Sequence, residues 1–386
     1  MSLPFFFVTK VLVLSLPSRG SGAGPVAGRS RASSPSVVAG LALGQPECQG
    51  RSPWAIRPSL PSIPASATRE RAATTASSPK RCDNGPVSTL TPILSSPGWE
   101  LLESLQARLE SQPMPLRELG AALREFDAVV VRSKTKIRAN HIDEAKGGKL
   151  KLIIRGGVGV DNIDVKYAEE NGITVKNTPK ASSESVAELA LGHMFSCARY
   201  LSIAGHTMRE DKWEKKAYGK GIELQGKTLG IVGFGRIGQH LGVMAKAIGM
   251  KVVAFDIFHI PGIEEQLGIP YVEMDELLAM SDFVSVHAPA VDGGALISAE
   301  NIAKMKDGVV IINTSRGTNV DEAALLAALE SGKVRAAGLD VYADEPATNK
   351  ALYSHPMVSC TPTIGAATVE AQKRIGQEIV EIIAAM

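Results

Sequence analysis

Three glycines, Gly233, Gly235 and Gly238, stand in a G-x-G-x-x-G frame within the stretch "IVGFGRIGQH". The apolar run "TLGIV" feeds this loop, a helical pattern leaves it through Arg236 and Ile237, and the run "KVVAF" ends in Asp256, 18 residues beyond Gly238. Such an arrangement suits a dinucleotide. Gly233 makes the tight turn, Gly235 lets backbone approach a pyrophosphate, Gly238 lets helix pack on strand, and the helix N-terminus faces negative charge. Asp256 is placed to accept from ribose hydroxyls and to repel a 2′-phosphate. No Arg or Lys follows it closely, so the pattern predicts NAD rather than NADP. Glycine triplets also occur in kinases and in plain turns; strand, loop, helix and acid in this order select the dinucleotide.

The elements that must hold this loop follow an alternating pattern. Helical stretches "WELLESLQARL" and "ELGAALREF" precede the β-rich run "AVVV", and short strands are predicted at "KLII" and "ITVK". One long amphipathic helix is expected from near Ser183, with Val186, Leu189, Ala190, Met194, Cys197, Leu201 and Ala204 on one face at helical spacing. Beyond it lie "TLGIV", "KVVAF", "FVSVH", "VVIIN", "AAGLDV" and "VSCT", separated by helical pieces such as "GQHLGVMAKAIG" and "EAALLAALESG". Strands alternating with helices give a parallel sheet, and near-continuous apolar strands give one covered on both faces. The ligand crevice then lies at the carboxyl ends of the strands.

The first 82 residues differ from the rest. They carry ten Lys/Arg against Glu47 and Glu70, leaving 32 of the 42 basic and 38 of the 40 acidic residues for the body, and 13 of the 22 prolines fall before residue 99. A segment of this kind buries too little apolar surface to offset its ordering entropy, so disorder is expected over 1–85. Its start, "LPFFFVTKVLVLSLP", is interrupted by Lys10 and too short to span a membrane. It reads as a signal-peptide h-region or a presequence start, the Arg/Ser-rich continuation fitting a transit peptide to a plastid or mitochondrion, or as a non-native N-terminus on a cytoplasmic protein. The mildly acidic body has no basic stripe for nucleic acid. Cys48, Cys82, Cys197 and Cys360 lack metal-ligand spacing and read as free thiols, and no metal is expected.

Taken together, "RGGVGVDNID", "NTP…SVAELALG", "GKTLGIVGFGRIG", "VIINTSRGTNVDEAAL", "AAGLDVYADEP" and "TPTIGAATVEAQ" resemble the D-2-hydroxyacid dehydrogenases, from about Phe126 onward and in the family's order, with the phosphoglycerate branch nearest. The resemblance implies an α/β architecture: a Rossmann-type doubly wound NAD domain (181–362) inserted into a smaller flavodoxin-like substrate domain (86–180, completed by 363–386). It also implies a homodimer and, with the chain ending at Met386, no regulatory domain of the kind long members carry. By the same resemblance Arg316 grips the substrate carboxylate and carbonyl, Glu345 orients a catalytic histidine, and Thr314 and Asp340 lie on the cofactor side. The turn 157–159 offers Gly157 and Gly159 to the substrate carboxylate, with Val158 near the cofactor, and Arg132 and Arg155 bind phosphate.

Two departures stand out. The family's first strand is poorly represented by "PVSTLTPIL", so the substrate domain is expected to be incomplete or frayed at its edge. Where the family reads T-P-H-x-G, this chain reads Thr361, Pro362, Thr363, Ile364, Gly365. A threonine donates a hydrogen bond but exchanges no proton near neutral pH. The sequence favours NAD-dependent oxidation of D-3-phosphoglycerate, with the missing acid replaced by water held by Glu345 and Thr363 or by His287, His355 or Lys134. Reduction of hydroxypyruvate, glyoxylate or another 2-keto acid, or a catalytically weak NAD-binding sensor, are the alternatives.

Overall fold

The computed structural model describes residues 9–15, 108–114 and 119–385, and these build two sheets. The larger holds β6 (Thr228–Val232), β7 (Lys251–Phe255), β8 (Phe283–Val286), β9 (Val309–Asn313), β10 (Val334–Leu339) and β11 (Val358–Cys360). Its order is β11-β10-β9-β8-β6-β7, and every pairing is parallel. From β6 the chain winds first to β7 on one side and then to β8 on the other. This reversal of winding opens a crevice at the carboxyl ends of β6 and β8, where the glycine loop emerges. All five residues of β6 and of β9 are buried. Separate apolar clusters cover the two faces, one containing Met194, Ile231 and Leu241, the other Val286, Ile311 and Leu325. The predicted strands "TLGIV", "KVVAF" and "VVIIN" have these limits to the residue.

The smaller sheet has the order β2-β1-β3-β4-β5. Here β3 (Ala128–Val131), β4 (Leu152–Arg155) and β5 (Thr174–Asn177) run parallel, over a core of Leu123, Val129, Ile142 and Ile153. The C-terminal helix Val369–Ala384 closes against it, since a side chain on Gly156 would press at 3.3 Å on Ile375 and 3.5 Å on Ile379. The edge of this sheet corrects the reading of 1–85. Residues Thr9–Ser15, inside the expected disordered leader, form β1, which lies antiparallel on β3 with Leu12 opposite Val130 and Leu14 opposite Ala128. A second strand, β2 (Arg108–Met114), pairs antiparallel with β1. The apolar β-prone run "TKVLVLS" supplies what β3 otherwise lacks, a neighbour for its backbone donors and acceptors. The sheet is therefore mixed, with an antiparallel pair beside its three parallel strands. The helix expected at "WELLESLQARL" lies outside the described residues except Arg108 and Leu109, which open β2.

A further correction concerns the long helix. It runs Ser183–Arg199, breaks at Tyr200 in the left-handed region (φ 59°), and resumes as Leu201–Arg209, so Leu201 is exposed instead of sharing the apolar face. The Tyr200 hydroxyl donates to Lys220 O, and the Arg335 guanidinium lies over its ring, which holds the break in place. Of the described cysteines, Cys197 is buried and Cys360 exposed, both free; Cys48 and Cys82 lie outside the described residues. Among the described residues no helix is long and apolar enough to cross a membrane, and no cluster of side chains could hold a metal.

Candidate active site

The glycine loop has the form its spacing predicts. Gly233 has φ 94°, and a Cβ there would come within 2.7 Å of Ala288 N and the His287 carbonyl carbon at the end of β8. Gly238 packs on the Gly233 carbonyl, whereas a Cβ on Gly235 would meet nothing within 4 Å, leaving that backbone open to a ligand. The helix Arg236–Ala247 starts at this point with no side chain capping it, so first-turn N–H groups around Arg236 and Ile237 face outward. Asp256 closes the loop's other side. Its carboxylate accepts from Phe234 N at 2.7 Å and from Phe258 N at 3.0 Å. The Thr314 hydroxyl, at the end of β9, is buried without a partner, as a group awaiting a ligand would be. An open glycine turn, an uncapped helix start, a carboxylate at the ribose position and an orphan hydroxyl fit NAD.

Across the crevice three guanidiniums converge on the turn after β4. Arg316, beyond β9, donates through Nε to Asp161 Oδ2 at 2.7 Å and through Nη1 to Ser315 O at 2.8 Å, while Nη2 lies where a side chain on Gly159 would stand. Arg155 ends β4 and folds back over Gly157, donating to Gly156 O at 3.2 Å; its buried Nε has no partner. Gly157, at φ 144°, leaves room for that guanidinium. Arg132, at the end of β3, donates to Gln372 Oε1 at 3.0 Å on the C-terminal helix. Burial first, then repulsion by Arg132 and Arg316, pushes the Arg155 pKa down to about 10, and burial lowers that of Arg132. Excess positive charge held partly out of water is an anion trap. Val158 joins Gly157 and Gly159, and its carbonyl accepts from Asn177 Nδ2.

The remaining candidates sit on the loop 361–365. Thr363, at φ 55°, donates from Oγ1 to Glu345 Oε1 at 2.8 Å, and both residues are exposed. Asp340 is buried beneath that loop, accepting from the Thr361 hydroxyl at 2.6 Å and from Ile364 N and Gly365 N at 2.8 Å each. The structure thus brings Arg132, Arg155, Gly157, Gly159 and Arg316 together, and Glu345 with Thr363, while Asp340 serves the loop directly. Of the substitute acids, His287 bonds to Ser285 Oγ at 2.8 Å through Nε2, and burial pushes its pKa down to about 4. It is neutral at pH 7 and a poor proton donor. His355 precedes β11 and so lies at the amino end of the sheet, opposite the crevice. Lys134 is exposed two residues past Arg132. Asp161 and Gln372, which fix Arg316 and Arg132, stand within "RGGVGVDNID" and "TPTIGAATVEAQ" with no local signal of their task, because their partners are 155 and 240 residues away in the chain.

Residues 191–365 match the family model of the D-isomer specific 2-hydroxyacid dehydrogenase, NAD binding domain. A hydroxypyruvate reductase of Thermotoga maritima is 49% identical over 288 residues, covering 73% of this chain and 92% of that one. A D-3-phosphoglycerate dehydrogenase of Mycobacterium bovis is 44% identical over 69% of this chain, which spans 50% of that protein's length. Among solved structures, a glyoxylate reductase from Paecilomyes thermophila superimposes with a TM-score of 0.67 at 34% identity, covering 75% of this chain and 90% of that one.

Proposed function

The chain belongs to the D-2-hydroxyacid dehydrogenases and is an NAD-dependent enzyme of that family, and from this premise we propose that it interconverts a D-2-hydroxy acid carrying a second anionic group with its 2-keto acid, D-3-phosphoglycerate being the substrate. The convergence of Arg132, Arg155 and Arg316 on one glycine turn carries this reading: one carboxylate needs one such fork, and among the described residues Asp161 is the carboxylate paired with them, through Arg316. NAD, when bound, supplies the hydride acceptor. Arg316 holds the substrate carboxylate and stabilises charge on the reacting oxygen, the backbone N–H groups of the turn take the remaining carboxylate oxygen, and Arg132 and Arg155 take the distal phosphate. In the reducing direction a water held by Glu345 and Thr363 gives its proton to the carbonyl oxygen and is reprotonated from solvent; oxidation runs the same path backwards.

A second reading, reduction of hydroxypyruvate or glyoxylate, is favoured by one contact. Gln372 already satisfies part of Arg132, as in a site that receives no phosphate. Steady-state assays with 3-phosphohydroxypyruvate, hydroxypyruvate and glyoxylate against NADH separate the two. A kcat/KM at least tenfold higher for the phosphorylated acid supports the first; parity or the reverse supports the second. No turnover on any of them, with NADH still binding, leaves the sensor reading. The same proposal divides the chain into a cofactor half (181–362) set between substrate-binding segments (86–180 and 363–386), supported by their separate cores. It also includes a homodimer, supported by exposed Phe195, Leu201, Met208, Trp213 and Val243 on and between neighbouring helices, with sedimentation as its check.

A further inference from the structure

A buried histidine of the cofactor half lies behind the loop that carries Thr363. His193, on the helix Ser183–Arg199, is 3% exposed and points at the carboxyl end of the sheet. Gly338 on β10 makes space for it, since a Cβ there would stand 2.6 Å from His193 Cβ and 3.0 Å from Cγ. Both ring nitrogens are engaged, Nδ1 with Ser359 Oγ and Nε2 with Thr361 Oγ1, each at 3.0 Å.

The directions of these bonds can be derived. Asp340 accepts backbone N–H groups on both carboxylate oxygens and the Thr361 hydroxyl on Oδ1, so Thr361 donates to it. With its proton committed, Thr361 Oγ1 accepts from His193, which therefore carries its proton on Nε2. Nδ1 then accepts from Ser359. Burial lowers the pKa of His193, which keeps the ring in this neutral form. The chain of donors runs one way, from Ser359 through His193 and Thr361 to Asp340, and Asp340 in turn fixes the amides of Ile364 and Gly365 beside Thr363, whose own N–H donates to Asp340 O at 2.9 Å.

We propose that His193 is a positioning residue for the reaction: its Nε2–H, through Thr361 and Asp340, sets the loop 361–365 so that Thr363 faces Glu345 and the reacting oxygen. This rests on the dehydrogenase reading above. A residue that only fills space would not distinguish its two ring nitrogens, but this one does.

Two substitutions separate them. His193→Gln places an amide N–H near the position of Nε2 and keeps the donor to Thr361, whereas His193→Asn reaches only the position of Nδ1. In hydroxypyruvate reduction with NADH, His193→Asn is expected to lower kcat about tenfold, the size of one lost hydrogen bond in the reacting arrangement, with KM and NADH affinity unchanged. His193→Gln should stay within about twofold of the parent on the same scale. Hydrogen exchange of the peptide spanning 361–366 should quicken in the Asn variant and not in the Gln variant, and this readout needs no turnover. Equal loss of kcat in both variants, full activity in both, or a loss that follows NADH affinity overturns the proposal. If the parent protein turns over no 2-keto acid, the function reading fails by itself; unchanged exchange at 361–366 in the Asn variant then refutes the role of His193, and faster exchange upholds its hold on the loop.

Discussion

The two sheets solve different problems. The six-stranded sheet is parallel throughout, drawn from one continuous stretch of chain, and buried on both faces. The five-stranded sheet combines three parallel strands with an antiparallel pair that begins at Thr9, and its cover includes a helix from the far end of the chain. The first can form from neighbouring segments. The second must close loops of about a hundred residues before its edge is complete, which costs entropy before any contact rewards it. Between them lies the seam where Arg316 of one reaches Asp161 and Gly159 of the other. The cofactor loop belongs to the self-sufficient half, whereas the anion site depends on both.

Removing residues 1–17 is the most severe test of this contrast. It takes from β3 its antiparallel neighbour and from β2 its only partner among the described strands. A loss on the order of 3–5 kcal/mol is expected from the missing ladder, confined to the smaller sheet. Hydrogen exchange should rise over 128–155 while NADH binding persists. Unchanged exchange there would show that β1 contributes nothing and that the sheet is complete without it.

At the seam, Arg316→Ala should lower kcat by about 10²- to 10³-fold, the scale for losing a donor aimed at developing charge, with NADH affinity little changed because the glycine loop lies on the other side of the crevice. An equal loss of NADH binding would place Arg316 in the cofactor half alone. Within the smaller sheet, Arg155→Ala should weaken a phosphorylated substrate by about 1.5–3 kcal/mol, as for charged hydrogen bonds, and leave glyoxylate nearly unaffected. Parallel losses on both would reduce Arg155 to a structural role.

How much of this was legible follows the same division. β6, β7 and β9 were readable to the residue because local periodicity and burial agree in a sheet covered on both faces. The glycine loop was readable because six consecutive positions, 233–238, build the whole turn, and Asp256 because it directly follows the next strand. The strand at Thr9–Ser15 was not, because composition described the segment around it and the partner that orders it, β3, lies more than a hundred residues on. The same limit hid the break at Tyr200, which is held by Arg335, and left Asp161, Gln372 and His193 unassigned. A side chain whose task is to hold another element announces nothing in its own neighbourhood.

Acid supplies the mildest test, because the buried histidines His193 and His287 both lie in the six-stranded half. His287 is held near pKa 4 by burial against an ordinary 6.5, so between those values the unfolded chain takes up a proton that the folded one refuses. Its contribution to stability is complete above pH 6.5 and is lost progressively as pH falls to 4, about 1–2 kcal/mol of it between pH 7 and pH 5. The lowered pKa of His193 acts in the same direction. In the smaller sheet's half the acids shifted downward are Asp143 and Asp164, whose pKa values lie below 3.8 through hydrogen bonds to Lys146 and Arg138; their stabilisation is present above that value and lost only at lower pH, while Glu378, raised by burial, is not destabilised as pH falls. Urea titrations at pH 7 and pH 5, followed by hydrogen exchange, should therefore show the six-stranded half weakening first. His287→Asn, which cannot titrate, should flatten most of that dependence. If exchange instead rises first over 128–177, the carboxylates and the frayed edge of the smaller sheet govern acid stability, and the buried histidines do not.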